Sequence, residues 1–293
     1  MLVITNSAAG GSDDDLVKAA AAELGGAEVA HCSSPEELDD ALELGHGTVV
    51  AAGGDGSLHA LANALRRRGE LAERTVGLIP MGTGNDFART LGLPDDPVQA
   101  AALLREGAER RLDLIADDTG EITVNAVHLG AGADSTLAAE AWKAVLGPAG
   151  YPAGTIKAGL GTRGHRVRIA ADGRTVLKDR KVLMVAVANG RYIGGGAELS
   201  PKSLPDDGAM DLIVSRALRF RRRIRYALRL AGASHIAEPD VRHLRARTVS
   251  VRTDPANTSS DGEVRQGVTA RTWRVLPGAW NFLVPPDGGR PRP

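Results

Sequence analysis

The sequence predicts an α/β domain on a parallel sheet, followed by a β-rich domain of β-sandwich type. Three observations point there. Over the first ~115 residues short apolar runs alternate with Ala-rich or amphipathic stretches, the rhythm of strands joined by crossover helices. Beyond them, strand-like runs follow one another across short turns, as antiparallel meanders do. Apolar residues make up 43% of the 293 but aromatics only 3%, so the core must be built from Ala, Val, Leu and Ile. The expected division is residues 1–115, residues 116–284, and a flexible tail "PPDGGRPRP" at 285–293.

Each element has a local reason. "MLVIT" is a short apolar strand, and "SDDDLVKAAAAEL" a helix with Ser12 as N-cap and acids in its first turn. "AEVAHC" reads as a strand, and "SPEELDDALEL" as a helix with Ser34 as N-cap and Pro35 at the first helical position. "TVVAA" is a strand; Leu58, Leu61, Ala62 and Leu65 then recur at helical spacing. "TVGLIP" is the next strand, and "DPVQAAALLREG" a helix that stops at Gly107. In the second half "EITVNAVHLG", "HRVRIAA", "RTVLK", "KVLMVAVAN", "MDLIVSRAL", "RTVSVRT" and "TARTWRVLP" read as strands, with an Asp172-Gly173 turn between two of them. Two helices interrupt them, near 135–146 and 217–231.

Composition narrows the function classes. Lys plus Arg equals Asp plus Glu at 36 each, yet residues 161–252 carry 20 Lys and Arg against 8 Asp and Glu, a bias toward an anionic ligand or surface. Cys32 is the lone cysteine, so no intrachain disulfide forms, which fits a reducing compartment. The N-terminus lacks the basic region of a signal peptide, and no apolar run approaches the ~20 residues that span a bilayer. A cytoplasmic protein is expected, with any membrane contact peripheral.

The strand "TVVAA" ends in Gly53-Gly54-Asp55-Gly56-Ser57. At the carboxyl end of a parallel strand, N–H groups of the next helix and its dipole form an anion site, and glycines let phosphate oxygens reach the main chain or permit positive φ. Asp55 would repel phosphate unless Mg²⁺ intervenes or it orients a ribose hydroxyl or a loop N–H. "TVGLIP" brings Gly82-Thr83-Gly84-Asn85-Asp86 to the same sheet edge, and the first strand brings Asn6, Gly10 and Gly11. Three such loops describe a nucleotide crevice. The chain has neither a P-loop nor a dinucleotide fingerprint after its first strand.

"GGDGSLHALANAL", "GLIPMGTGNDFARTLGLP", "ANGRYIGGGAELSPKSLPDDGAMDLIV" and "SSDGEV" occur in that order across nearly the whole chain. Together they resemble the diacylglycerol kinase catalytic-domain superfamily, nearest the bacterial soluble and YegS-like lipid kinases, related to sphingosine kinases and NAD kinases. The resemblance implies an NAD kinase/diacylglycerol kinase-like fold with the site between its domains, and transfer of the γ-phosphoryl of ATP to the hydroxyl of diacylglycerol or a related lipid alcohol. It implies that Gly53, Gly54, Asp55, Gly56, Ser57 and His59 line the ATP phosphates, with Thr83 in the same site and Asn6 at its rim. It implies Glu263 as general base with Asp261 beside it. It also implies a Mg²⁺ held by the carbonyls of Leu204 and Ala209 and the carboxylate of Asp207. The chain departs from the family where Ser7 follows Asn6 in place of Pro, where His59 stands for a frequent Asn, and where Ala60 stands for a common Glu.

Read without the resemblance, the same residues leave alternatives open. Asp261-Gly262-Glu263 lies in a polar loop between strands, where a hairpin would project both carboxylates from one tip, an arrangement also met in ordinary solvated turns. "RALRFRRRIRYALRLAG" can set Leu218, Phe220, Ile224 and Leu228 along one side and arginines elsewhere. That fits a core-facing helix with a basic outer face, or a segment drawn to anionic lipid at a membrane surface. No nucleic acid is expected as a partner, and a homodimer stays open. The rival functions are a NAD kinase-like enzyme and a non-catalytic nucleotide- or lipid-binding homologue.

Overall fold

The structure, a computed structural model, describes residues 1–6, 14–134, 136 and 164–286. Ser7, Gly10, Gly11 and Ser12, residues 135 and 137–146 of the helix expected near 135–146, and residues 287–293 of the tail lie outside the described residues. The first part runs β1 (Leu2–Asn6), α1 (Asp14–Glu23), β2 (Glu28–Cys32), α2 (Pro35–Glu43), β3 (Thr48–Gly53), α3 (Asp55–Arg68), β4 (Thr75–Pro80), α4 (Asp86–Thr90) and α5 (Pro97–Arg105). There follow β5 (Ala108–Asp117), β6 (Ile122–Thr123), β7 (Ala126–Gly130), β8 (His165–Ala171), β9 (Arg174–Val182), β10 (Met184–Ala188), β11 (Tyr192–Ile193), β12 (Ala197–Glu198) and β13 (Met210–Ser215). The chain closes with α6 (Phe220–Ala231), β14 (Val241–Ala246), β15 (Thr248–Ser260) and β16 (Glu263–Val284).

Strands β2, β1, β3 and β4 lie side by side and parallel, with Thr5 beside Ala52 and Gly53 beside Pro80. This register puts the ends of β1, β3 and β4 level at one edge. Helix α2 starts as its sequence indicates: the Ser34 hydroxyl accepts from the Glu37 N–H at 3.3 Å, and the Glu37 carboxylate accepts from the Ser33 N–H at 2.6 Å. The Asp172-Gly173 pair turns β8 into β9 with φ of 48° and 76°, as a two-residue hairpin demands.

The second half is antiparallel. Val127, Leu129, Val185, Val187, Leu212 and Val214 point one way from β7, β10 and β13 and pack against Val167, Ile169, Val249, Val251 and Trp273 of the facing layer, the sandwich core. Strands β5 and β14 were not anticipated. β5 is basic and acidic at its ends and shows no clean alternation, but it pairs with Trp273–Val284 of β16, on both sides of an irregularity in that strand. β16 is the joint of the molecule. Its first part pairs with β15; after an irregularity between Leu276 and Trp280 its last residues lie parallel to β4, with Asn281 beside Thr75. Trp280 and Phe282 are therefore buried in the first core, packed edge to face with ring centres 4.9 Å apart and with Phe87 5.9 Å from Phe282. No helix among the described residues is long and apolar enough to cross a membrane.

Helix α6 does not turn its apolar side to the core. Phe220, Ile224 and Leu228 are exposed, and Tyr226 is the buried residue on which the helix rests.

Candidate functional site

The glycine turn after β3 packs against the turn after β4. Gly54 is the N-cap of α3 with an extended backbone, φ −95° and ψ −167°, and no side chain caps that helix start. Gly53, Gly54 and Gly56 are not among the positive-φ glycines, so the reason for glycine here is approach rather than handedness. A Cβ on Gly82 would stand 2.5 Å from the Gly54 Cα, and one on Gly53 would stand 2.3 Å from the Ser57 Oγ. The second loop is closed by Asn85, itself left-handed at φ 51°: its Nδ2 donates to the Gly82 carbonyl at 2.8 Å and its Oδ1 accepts from the Gly82 N–H at 3.0 Å. Thr83 stands exposed at the tip of this loop, and Asn6 ends β1 at the same edge.

Asp55 joins the two turns. Its carboxylate accepts the N–H groups of Asp86 and Phe87, both at 3.0 Å, and so caps α4 from another helix. Of the roles open to this residue, holding a loop N–H is the one the geometry fills. Burial raises its pKa, and the two N–H bonds oppose the rise. Asp86 makes the next link. Its carboxylate accepts from Gly195 N at 3.1 Å and Gly196 N at 2.8 Å, where three successive glycines have positive φ. Burial, and then the charge of Asp55, push its pKa up to about 6. The Gly194–Gly196 run is thus bound to the front of the molecule through a side chain that motif reading quoted but assigned no role.

The Asp261-Gly262 hairpin has φ of 47° and 104° and pairs Ser260 with Glu263. Its two carboxylates do not share one tip. Asp261 points inward, its side chain 1% exposed, and accepts from Val124 N at 2.6 Å, Asn125 N at 2.9 Å and Ala126 N at 3.0 Å. His59 does not line the loop mouth either; its Nδ1 meets Asp261 Oδ2 at 3.0 Å and its Nε2 lies 3.2 Å from the Asn63 amide. Burial works against protonation of His59, but the bond to Asp261 and the charges of Asp261, Glu121 and Glu263 outweigh it and raise its pKa. Glu263 is exposed beside Glu121, Ser260 and Arg265 in a shallow cleft. The bridge from His59 to Asp261 brings the acidic hairpin of the second half onto the helix that begins at Gly54.

The turn at 204–209 does not offer the cation site that the resemblance implies. Asp207 forms an ion pair with Arg245, and its other oxygen accepts from the Ala209 N–H at 3.2 Å. The turn is held by Asp113, which accepts from Gly208 N at 2.6 Å and Gly278 N at 2.8 Å, and by the Asp113 N–H donating to the Pro205 carbonyl at 2.6 Å. A metal there would have to displace a guanidinium. Among the described residues no group of three or more His, Cys, Asp or Glu could hold a metal ion.

Asp86, Asp113 and Asn189 are the site-building residues that motif reading left without a role. Asn189 donates to the carbonyls of Asp113 and Val124, at 2.9 and 2.8 Å, and ties the turn to the strand that Asp261 holds. The available signal was position for two of them: Asp86 opens α4 two residues after Gly84, and Asn189 follows β10 next to Gly190, whereas Asp113 lies inside β5 with no local mark.

Residues 1–116 match the family model of the diacylglycerol kinase catalytic domain, and residues 125–284 match that of the YegS C-terminal NAD kinase beta sandwich-like domain. A protein of Stenotrophomonas maltophilia named "Probable lipid kinase YegS-like" is 36% identical over 60% of this chain; the match spans 58% of that relative's length. One of the same name from Pseudomonas syringae pv. syringae is 35% identical over 87% of this chain and 83% of its own. The solved structure of a diacylglycerol kinase from Bacillus anthracis is 25% identical and superposes with a TM-score of 0.75 over 98% of this chain and 97% of that one. Ordered glycine turns at one sheet edge, a sandwich behind them and these matches over both halves give one conclusion: the chain belongs to the diacylglycerol kinase catalytic-domain family, with a YegS-type C-terminal domain.

Proposed function

We propose that the protein is an ATP-dependent lipid kinase that moves the γ-phosphoryl group of ATP to the hydroxyl of diacylglycerol or a related lipid alcohol. The observation that carries this reading is the 3.0 Å contact of His59 with Asp261, which sets the Glu263 hairpin against the helix that starts at the paired glycine turns. The uncapped first turn of α3 supplies N–H groups for phosphate oxygens. The acceptor oxygen forms a bond to the γ-phosphorus as the bond from that phosphorus to the β,γ-bridging oxygen breaks. ADP departs with the electron pair, and the hydroxyl proton passes to Glu263. Mg²⁺ bound to the triphosphate would screen its charge; the 204–209 turn is given no part in that.

Radiolabelled ATP offered to the full chain with a mixed lipid extract and NAD tests the proposal. Labelled lipid is the expected product. Labelled NADP would make it a NAD kinase-like enzyme, and ATP binding without transfer would make it a non-catalytic homologue. Glu263→Gln should lower turnover by about 10²–10⁴-fold, the range for loss of a positioned proton acceptor, with ATP affinity unchanged. Undiminished turnover would remove Glu263 from the chemistry.

A further inference from the structure

Of the three phenylalanines in the chain, Phe87 and Phe282 are fully buried and Phe220 is 62% exposed. It is not an isolated surface residue. On α6 it is followed at helical spacing by Ile224, 38% exposed, and Leu228, 70% exposed, with the exposed Ala227 and Ala231 filling the same arc. The helix rests on its other side, where Tyr226 packs edge-on against His235 with ring centres 5.6 Å apart. A stripe of this length turned to water marks an interaction surface.

Cations border it. Arg222 is held by Asp240 at 2.6 Å, and Arg225 and Arg229 by Glu238, each at 2.6 Å. Beside the start of the helix lies a crevice of about 320 Å³ in which Arg180, Lys181, Arg216, Arg219 and Arg222 face one acid, Asp240. The combination of an apolar stripe with an excess of cations selects the partner. A nucleic acid would satisfy the crevice and leave Phe220, Ile224 and Leu228 in water. A second copy of the chain would cover the stripe and set two basic crevices against each other.

We propose that α6 is a docking face for the surface of an anionic phospholipid bilayer, with Phe220, Ile224 and Leu228 entering the headgroup boundary and the crevice lying on lipid phosphates. None of these residues belongs to the glycine turns or the Asp261 hairpin, so docking and phosphoryl transfer are scored separately, and loss of one leaves the other standing.

The test is co-sedimentation of the full chain with vesicles of phosphatidylcholine alone or with about a third phosphatidylglycerol, at low and high salt. Binding should require the anionic lipid and weaken with salt. Phe220→Ser, Ile224→Ser and Leu228→Ser together should weaken it by about a hundredfold, from the apolar area withheld. Arg216→Ser with Arg219→Ser should lower both the affinity for anionic vesicles and its salt dependence, which keeps the test open should the triple variant melt early. Absence of vesicle binding, equal binding to neutral vesicles, or unchanged binding by both variants would overturn the proposal. So would RNA that displaces the protein from vesicles and binds the triple variant as tightly as the parent, or a dimer that the triple variant abolishes.

Discussion

Asp261→Asn separates a structural from a chemical role beneath the acidic hairpin. In the parent, Oδ1 takes the N–H groups of Asn125 and Ala126 at 2.9 and 3.0 Å, and Oδ2 takes Val124 N at 2.6 Å and His59 Nδ1 at 3.0 Å. Asparagine can place its carbonyl oxygen at the first pair and keep both. Its NH₂ then faces the Val124 N–H, and only His59 can adapt, by shifting its proton to Nε2 and accepting at Nδ1. One buried backbone donor is orphaned, at a cost of about 1–3 kcal/mol, and two charge-assisted bonds become neutral ones, each weaker by about 1 kcal/mol. The expected loss is about 3–5 kcal/mol, read from urea or guanidinium midpoints, with faster hydrogen exchange confined to the amides of 124–126. A loss below about 1 kcal/mol together with abolished turnover would refute this account and make Asp261 a participant in the reaction rather than its support.

Gly82→Ala must part the two glycine turns, since its Cβ would meet the Gly54 Cα at 2.5 Å. It should cost about 1–3 kcal/mol and at least about tenfold in ATP affinity by calorimetry, and parent-like affinity would count against the paired-turn nucleotide site. Asp86, raised to about 6, binds its proton more tightly folded than unfolded, so stability is shed as pH rises from about 4 through 6. Asp86→Asn should remove about 2–3 kcal/mol of that slope in denaturation at pH 4 and 7, whereas equal slopes would sink the assignment. His59, raised by its carboxylate neighbours, contributes stability that is complete below its unfolded pKa of about 6.5 and fades as pH climbs through the folded value. The stability gap between the parent and His59→Gln should therefore narrow from pH 6 to pH 9, and a gap that widens would reverse the reading.

Much of the fold was legible because local signals agreed with the global one. Ser34 and Pro35 start α2, Asp172-Gly173 turns a hairpin, and the apolar runs of β3 and β4 end in glycine turns at a common edge. What escaped depends on contacts between residues far apart in sequence. Nothing local says that β16 leaves the sandwich to lie beside β4, or that Asp261 meets a histidine 202 residues earlier. Helix α6 misleads for a different reason. Its period shows which residues share a side but not which side meets the core, and the arginines, held by Glu238 and Asp240, fix the helix with its apolar arc outward. The glycines were read as serving handedness as well as approach; their backbone needs only the approach.

The acids that hold the turns and the hairpin divide by what their lone pairs already hold. Asp55 carries two backbone N–H groups, Asp86 two and Asp113 two; Asp261 carries three and a histidine; Asp207 carries one N–H and Arg245. An acid so engaged has its oxygens occupied by the donors it holds in place, and this is so even where burial raises its pKa, as at Asp55 and Asp86. Glu121 is tied to Arg265. The Glu263 side chain has no hydrogen bond or ion pair among the described residues and shares its shallow cleft with Glu121 and Arg265. The family's acidic motifs are therefore, in this chain, chiefly clamps on backbone. For the proposed transfer, the carboxylate whose oxygens are not already committed to a donor is the one the hairpin leaves unclamped.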